Sequence, residues 1–125
     1  MDVAGFLALL DLEPAGADRW LAHSPQNGWK RVFGGQVLAQ SLVAAQRSVE
    51  GRPPHSLHAY FILGGDPAEP IELSVERVRD GRSFSVRRIV ARQRGETMFV
   101  MSVSFQAEEP GDLNHALPMP PAPAA

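Results

Sequence analysis

The chain has no cysteine, so disulfides, thiolate catalysis and cysteine-ligated metal sites are excluded. Histidine is sparse: His23, His55, His58 and His115 lie scattered without a metal-ligand spacing, and no metal or other cofactor is expected. Charge of one sign is also missing, because the formal net charge of −2 lacks the basic excess that general nucleic-acid binding needs. No long hydrophobic run is present. The most apolar stretch near the start, Phe6 to Leu10, is too short to cross a membrane, and Asp2 stands where a signal peptide carries basic charge. A cytoplasmic protein with neither nucleic acid nor membrane as partner is the expectation. What remains is ordinary for one globular domain: 125 residues, 44% hydrophobic and 21% charged, enough to bury a core.

The stretch that organises the chain runs from Gly28 through Trp29, Lys30, Arg31, Val32, Phe33, Gly34, Gly35 and Gln36 to Leu42. It joins an aromatic, basic loop to two glycines and then to a helix. Adjacent glycines allow backbone conformations and close approaches denied to other residues. The helix that follows aims its unpaired N–H groups and positive dipole end at the same spot. Such a place can receive a phosphate, a carboxylate or a developing oxyanion; it can equally be a loop-to-helix turn packed under a sheet. Trp29 and Phe33 either wall a tunnel for a ligand or pack the loop against the helix.

Residues 2–12 carry apolar side chains at helical spacing, and Pro14 and Gly16 end that pattern. Arg19 to His23 is a short strand. The helix from Gly35 to Arg47 places Val37, Leu38, Ser41, Leu42, Ala44 and Ala45 on one face, with Gln40, Gln46 and Arg47 opposite. After Gly51, Pro53 and Pro54 the period changes to two. Strands are predicted at His55–Leu63, Ile71–Arg79, Ser83–Arg94 and Thr97–Ala107, as a four-strand meander with a hairpin at Asp80-Gly81. Asp66 and Asp80 read as turn residues bonding nearby backbone. One long helix with several strands predicts the α+β class, a curved antiparallel sheet wrapped around a central helix. Residues 1–110 form that domain, and 111–125, rich in proline, form an extended linker or tail.

Seven of the twelve basic side chains fall between Arg77 and Arg94. Arginines in such a cluster, Arg82 and Arg87 among them, either grip the phosphates of an anionic ligand or form the solvated face of a strand pair. His58, close to Tyr60 and His55, reads either as a catalytic group or as a strand histidine satisfied at a domain interface.

Four segments together resemble the N-terminal half of the type II acyl-CoA thioesterases, the TesB-like double-hotdog family. They are Gly28–Val37, His55–Phe61, Arg79–Ser85 and Ser102–Gln106, and they occur in the family's order. The resemblance implies a hotdog fold, an acyl-CoA substrate, and hydrolysis of fatty acyl-CoA to free fatty acid and CoA. It also implies a partner, either a second hotdog domain or a second copy of this chain. In the family an Asp, a Ser or Thr and a Gln orient the attacking water, and all three belong to the second hotdog. No residue of this chain is then catalytic. Trp29, Phe33, Gly34, Gly35, Gln36, His58, Arg82 and Arg87 are left as substrate-facing candidates. Gln36 can donate a hydrogen bond but cannot deprotonate water. One departure stands out: Leu63-Gly64-Gly65-Asp66 replaces the family's Arg-Pro-Gly-Asp, which removes an arginine and predicts a more flexible turn. Hotdog hydratases and dehydratases, the competing class, use an Asp followed five residues later by His, a spacing that occurs here only at Asp18 and His23, ahead of the Gly-rich stretch. The alternative to a thioesterase half is a free-standing hotdog that dimerises and binds acyl-CoA, or another partner, without hydrolysis.

Overall fold

The computed structural model describes residues 1–124. In chain order the elements are α1 (Val3–Leu9), β1 (Glu13–Pro14), β2 (Arg19–Ala22), α2 (Gly34–Gln46), β3 (Pro54–Phe61), β4 (Ile71–Asp80), β5 (Phe84–Gln93) and β6 (Glu96–Gln106). All strands join one antiparallel sheet in the order β1-β2-β4-β5-β6-β3. The thirteen residues of α2 span roughly 20 Å and lie across its concave face. Val37, Ser41, Ala44 and Ala45 of the helix are buried against the sheet side chains Ile71, Leu73, Ile89, Phe99, Met101 and Phe105. Small residues on the helix let its backbone approach the sheet closely. This is the hotdog arrangement of the α+β class.

Several expectations need correction. The four long strands are not a simple meander: β4, β5 and β6 are, but β3 pairs with β6 and forms the sheet's far edge. Residues 62–70 therefore cross over from one side of the sheet to the other. They pass the start of α2, where Val32 N–H donates to the Gly65 carbonyl at 2.9 Å and Gln26 Nε2 donates to the Pro67 carbonyl at 2.8 Å. The two-residue strand β1 was not expected, because Pro14 reads as a breaker; it sits at an edge, where proline is tolerated.

Gln40 belongs to the buried helix face, not the solvent face. Its amide donates to the carbonyls of Leu9 at 2.9 Å and His23 at 3.0 Å, which satisfies the group inside the protein.

Two bulges redirect side chains. The register between β4 and β5 shifts between Arg77 and Arg79, so Asp80 shares a face with Ser85 and Arg87, although strict alternation from Ile71 puts it on the other and its side chain stays exposed. A second shift opposite Ala91 and Arg92 turns Met98 inward, where it is buried. The β5–β6 turn is a two-residue hairpin with Arg94 and Gly95 at φ 51° and 78°, the left-handed backbone that such turns require. Beyond Gln106 the described residues carry no helix or strand; Ala125, the last residue of the expected linker, lies outside them. Among the described residues no helix is long and apolar enough to cross a membrane.

Candidate functional site

Helix α2 opens on Phe33, whose side chain makes no capping hydrogen bond. Neither Gly34 nor Gly35 has a positive φ, so conformational freedom is not why glycine stands there. The reason is space. A Cβ on Gly34 would lie 2.9 Å from the Phe61 ring, and one on Gly35 would lie 2.5 Å from the Phe33 ring. Successive residues of a helix point about 100° apart, so the two glycines face two different cavities.

The first, at the helix mouth, has a volume of about 270 Å³ and is lined by Val32, Gly34, Val37, Phe61, Leu63 and Met98, among others. Every lining residue is apolar, so no carboxylate, histidine or hydroxyl side chain reaches it. The second, on the other side of the glycine pair, measures about 350 Å³. Its floor is Gly35, Gln36 and Ala39 of α2; Trp29 and Phe33 wall it, edge to face at 6.4 Å; and α1 lies over it through Phe6 and Leu9.

Of the eight substrate-facing candidates, Trp29, Phe33, Gly34, Gly35 and Gln36 are gathered around this helix start. Gln36 lines the second cavity, but its amide N–H groups are engaged with Ser24 Oγ at 3.0 Å, with longer contacts of 3.4 Å to the His23 carbonyl and Gln40 Oε1. The other three candidates are elsewhere. His58 stands opposite Ser102 on the convex face, its ring against Tyr60 at 4.8 Å. Arg82 is exposed in the β4–β5 turn, where its carbonyl accepts from Arg52 Nη2 at 2.8 Å.

Arg87 is not a surface cation at all. It is 1% exposed, because β5 points it inward beneath the end of α2. Nε donates to Ser48 Oγ at 2.7 Å, Nη1 to the Val86 carbonyl at 3.0 Å, and Nη2 to the Ser48 carbonyl at 3.0 Å and to Asp80 Oδ1 at 2.8 Å. A guanidinium so occupied has nothing to offer a phosphate. Asp80 is thus its counter-ion rather than a turn residue, and hydrogen bonds from Arg87 and Ser85 hold its carboxyl below the usual range. Arg77 is likewise engaged, in a two-point contact with Asp18 at 2.8 and 3.1 Å that lowers the Asp18 pKa through the hydrogen bond. On the convex face Arg88 stands opposite Glu76 and Arg92 opposite Glu72, which makes that part of the cluster a cross-strand charge ladder. Arg94 Nη2 bonds Glu69 Oε1 at 2.8 Å.

The expectation of a looser Gly64-Gly65 turn also meets close packing. A Cβ on Gly65 would lie 2.6 Å from the Met98 methyl and 2.9 Å from Val32, and Gly65 is buried. Sequence reasoning missed the roles of Phe6, Leu9 and Ala39, because nothing in the helical spacing of residues 2–12 says what that helix covers. Among the described residues no cluster of three His, Asp or Glu side chains is placed to hold a metal.

Residues 22–106 match the family of the acyl-CoA thioesterase N-terminal domain. Human acyl-coenzyme A thioesterase 8 is 44% identical over 116 residues, which cover 92% of this chain and 36% of that protein. The tesB protein of Mycobacterium avium subsp. paratuberculosis superposes with a TM-score of 0.88 at 34% identity, over 98% of this chain and 48% of that one. A hot dog fold protein from Alicyclobacillus acidocaldarius superposes with a TM-score of 0.81 over 96% of this chain and 46% of its own; its 22% identity speaks for the fold alone. The chain thus spans less than half the length of these relatives. With the match running from the end of β2 through the end of β6, this chain belongs to the acyl-CoA thioesterase N-terminal domain family.

Proposed function

We propose that the chain is the N-terminal hotdog domain of an acyl-CoA thioesterase, hydrolysing fatty acyl-CoA to free fatty acid and CoA together with a second hotdog domain. In that reaction water adds to the thioester carbonyl and the CoA thiolate leaves. It requires a group that orients or deprotonates the water, and donors for the oxyanion. The helix-mouth cavity offers an apolar wall and a helix N-terminus but no side chain able to take a proton. Gln36, the nearest polar group in sequence, has its donors engaged with Ser24 and His23. The water-activating groups therefore come from the partner, and this domain shapes and encloses the substrate. Residues 111–125 serve as the extended connection toward that partner domain.

The observation that carries the reading is the edge strand β3 beside the helix mouth. Tyr60, Phe61, Ile62 and Leu63 at its end are each at least half exposed, and three of them also line the helix-mouth cavity. A second domain seated on β3 would cover that apolar edge and complete the cavity with polar groups. The test is thiol release from a fatty acyl-CoA, measured on this chain alone and on a longer form carrying a second hotdog domain. Turnover only in the longer form is expected. A longer form without turnover would overturn the thioesterase reading, and turnover by this chain alone that Gln36→Ala abolishes would overturn the division of labour.

A further inference from the structure

The cavity under α1 has a different character from the helix mouth. Its lining is almost wholly apolar carbon, and no arginine or lysine reaches it. Gln36, the single polar side chain in the lining, donates elsewhere. A phosphate or nucleotide head would find no partner there, whereas a hydrocarbon chain needs none. At about 350 Å³ the cavity falls within the range of roughly 300–1,000 Å³ typical of small-ligand sites. Its walls also look unfinished. Phe6 is 49% exposed, Trp29 60% and Phe33 62%, three large apolar residues facing a shared space instead of packing into a core.

The roof has the same quality. None of the seven residues of α1 is buried. The helix is anchored at its C-terminal end, where the buried Gln40 amide donates to the Leu9 carbonyl at 2.9 Å and Arg47 Nη1 donates to the Leu12 carbonyl at 3.1 Å. At its N-terminal end the Asp2 carboxylate only caps the helix itself, bonding Gly5 N–H at 2.8 Å. No residue of β3 lines this cavity, which sets it apart from the edge strand and the helix mouth.

We infer that the cavity between α1 and the first turns of α2 is the site for the aliphatic chain of the substrate, floored by Ala39 and Gly35, walled by Trp29 and Phe33, and roofed by α1 through Phe6. The inference rests on the thioesterase reading for the identity of the chain, but it concerns a binding step this domain performs by itself. The two glycines stand between this cavity and the helix mouth. A thioester held at the helix start can thus lay its carbon chain under α1 while the reacting carbonyl stays on the partner's side.

The test uses the 125-residue chain with Trp20→Phe. Trp20 lies under the Arg47 guanidinium at 4.5 Å, away from the cavity, so removing its signal leaves Trp29 as the reporter. Dodecanoate is titrated against Trp29 emission, with CoA alone as the head-group control. Saturable binding of dodecanoate and none of CoA is expected. Ala39→Phe, which grows into the cavity from its floor, is expected to weaken dodecanoate at least tenfold. Phe6→Ser, on the exposed roof, should weaken it severalfold without changing the thermal midpoint. Ile62→Ser, at the helix mouth, should leave it unchanged. Undiminished affinity in a folded Ala39→Phe chain, or in Phe6→Ser, would overturn the assignment, as would binding that leaves Trp29 silent. Thiol release by a longer form is a separate readout: its failure sinks the thioesterase reading and leaves the chain site standing.

Discussion

Arg87 shows how far a residue's role depends on what its neighbours do. Among seven arginines close in sequence it is the one turned inward, and its hydrogen bonds tie the end of α2 to β4 and β5 through Ser48 and Asp80. Arg87→Ala is expected to cost about 3 kcal/mol or more, since it empties a buried volume and strips partners from buried carbonyls. Arg82→Ala, at an exposed turn, should stay within about 0.5 kcal/mol. Urea unfolding of both variants checks the contrast, and equal stability would return Arg87 to the surface cluster. The two paired carboxylates add a pH signature. Asp18 and Asp80 both have lowered pKa values in the folded state, the first through Arg77 and the second through Arg87. A lowered folded pKa means the stabilisation is fully present above the unfolded value near ~3.9 and is lost as pH falls through the folded one. Asp18→Asn should therefore be less stable than the parent at neutral pH, with the two stability curves converging below about pH 4. A gap that persists unchanged into acid would show that Asp18 acts by packing rather than by charge.

At the scale of elements, glycine substitutions separate tight packing from loose. Gly65 meets the Met98 methyl and the β-branched Val32, whose N–H is fixed on the Gly65 carbonyl. Val32 is stiff at χ1 and cannot swing aside, so Gly65→Ala is expected to lose about 1–3 kcal/mol. Gly35→Ala instead meets the Phe33 ring, which is 62% exposed and free to rotate outward. It should cost little in denaturant midpoint while moving one wall of the α1 cavity. The same distinction explains what was readable in advance. Helix α2 and strands β4, β5 and β6 follow from hydrophobic period, and the paired glycines mark the helix start. The place of β3 at the sheet edge does not follow, because alternation carries no information on which strands pair. Nor do the bulges that bring Asp80 onto the face of Arg87 and bury Met98, since one extra residue reverses every later side chain. Gln40 looked like a solvent-facing residue because glutamine usually is; the carbonyls of Leu9 and His23 that accept its protons lie far away in sequence. The helix-mouth residues were visible as a motif, but the division into two cavities needed the rotation between Gly34 and Gly35.

The whole molecule has two open sheet edges, and they are not alike. At one end β1 is two residues long and includes Pro14, which blunts it against further pairing. At the other, β3 is eight residues long and continues into exposed Ile62 and Leu63. A long edge flanked by apolar side chains recruits another strand, and when the recruit is the same chain the contact is isologous. Alone in solution this chain is therefore expected to dimerise through β3 at micromolar concentration, with the two helix mouths brought beside the shared edge. Tyr60→Lys combined with Ile62→Lys should return it to a monomer: both side chains are more than half exposed, at 64% and 52%, so the charges burden the interface and not the fold. Such a dimer holds two apolar helix mouths and no proton-accepting side chain at either, so it should release thiol from a fatty acyl-CoA no faster than buffer does. Sedimentation and thiol release on one sample decide both points. A parent chain that stays monomeric, or a doubly charged variant that stays dimeric, would remove β3 as the joining edge.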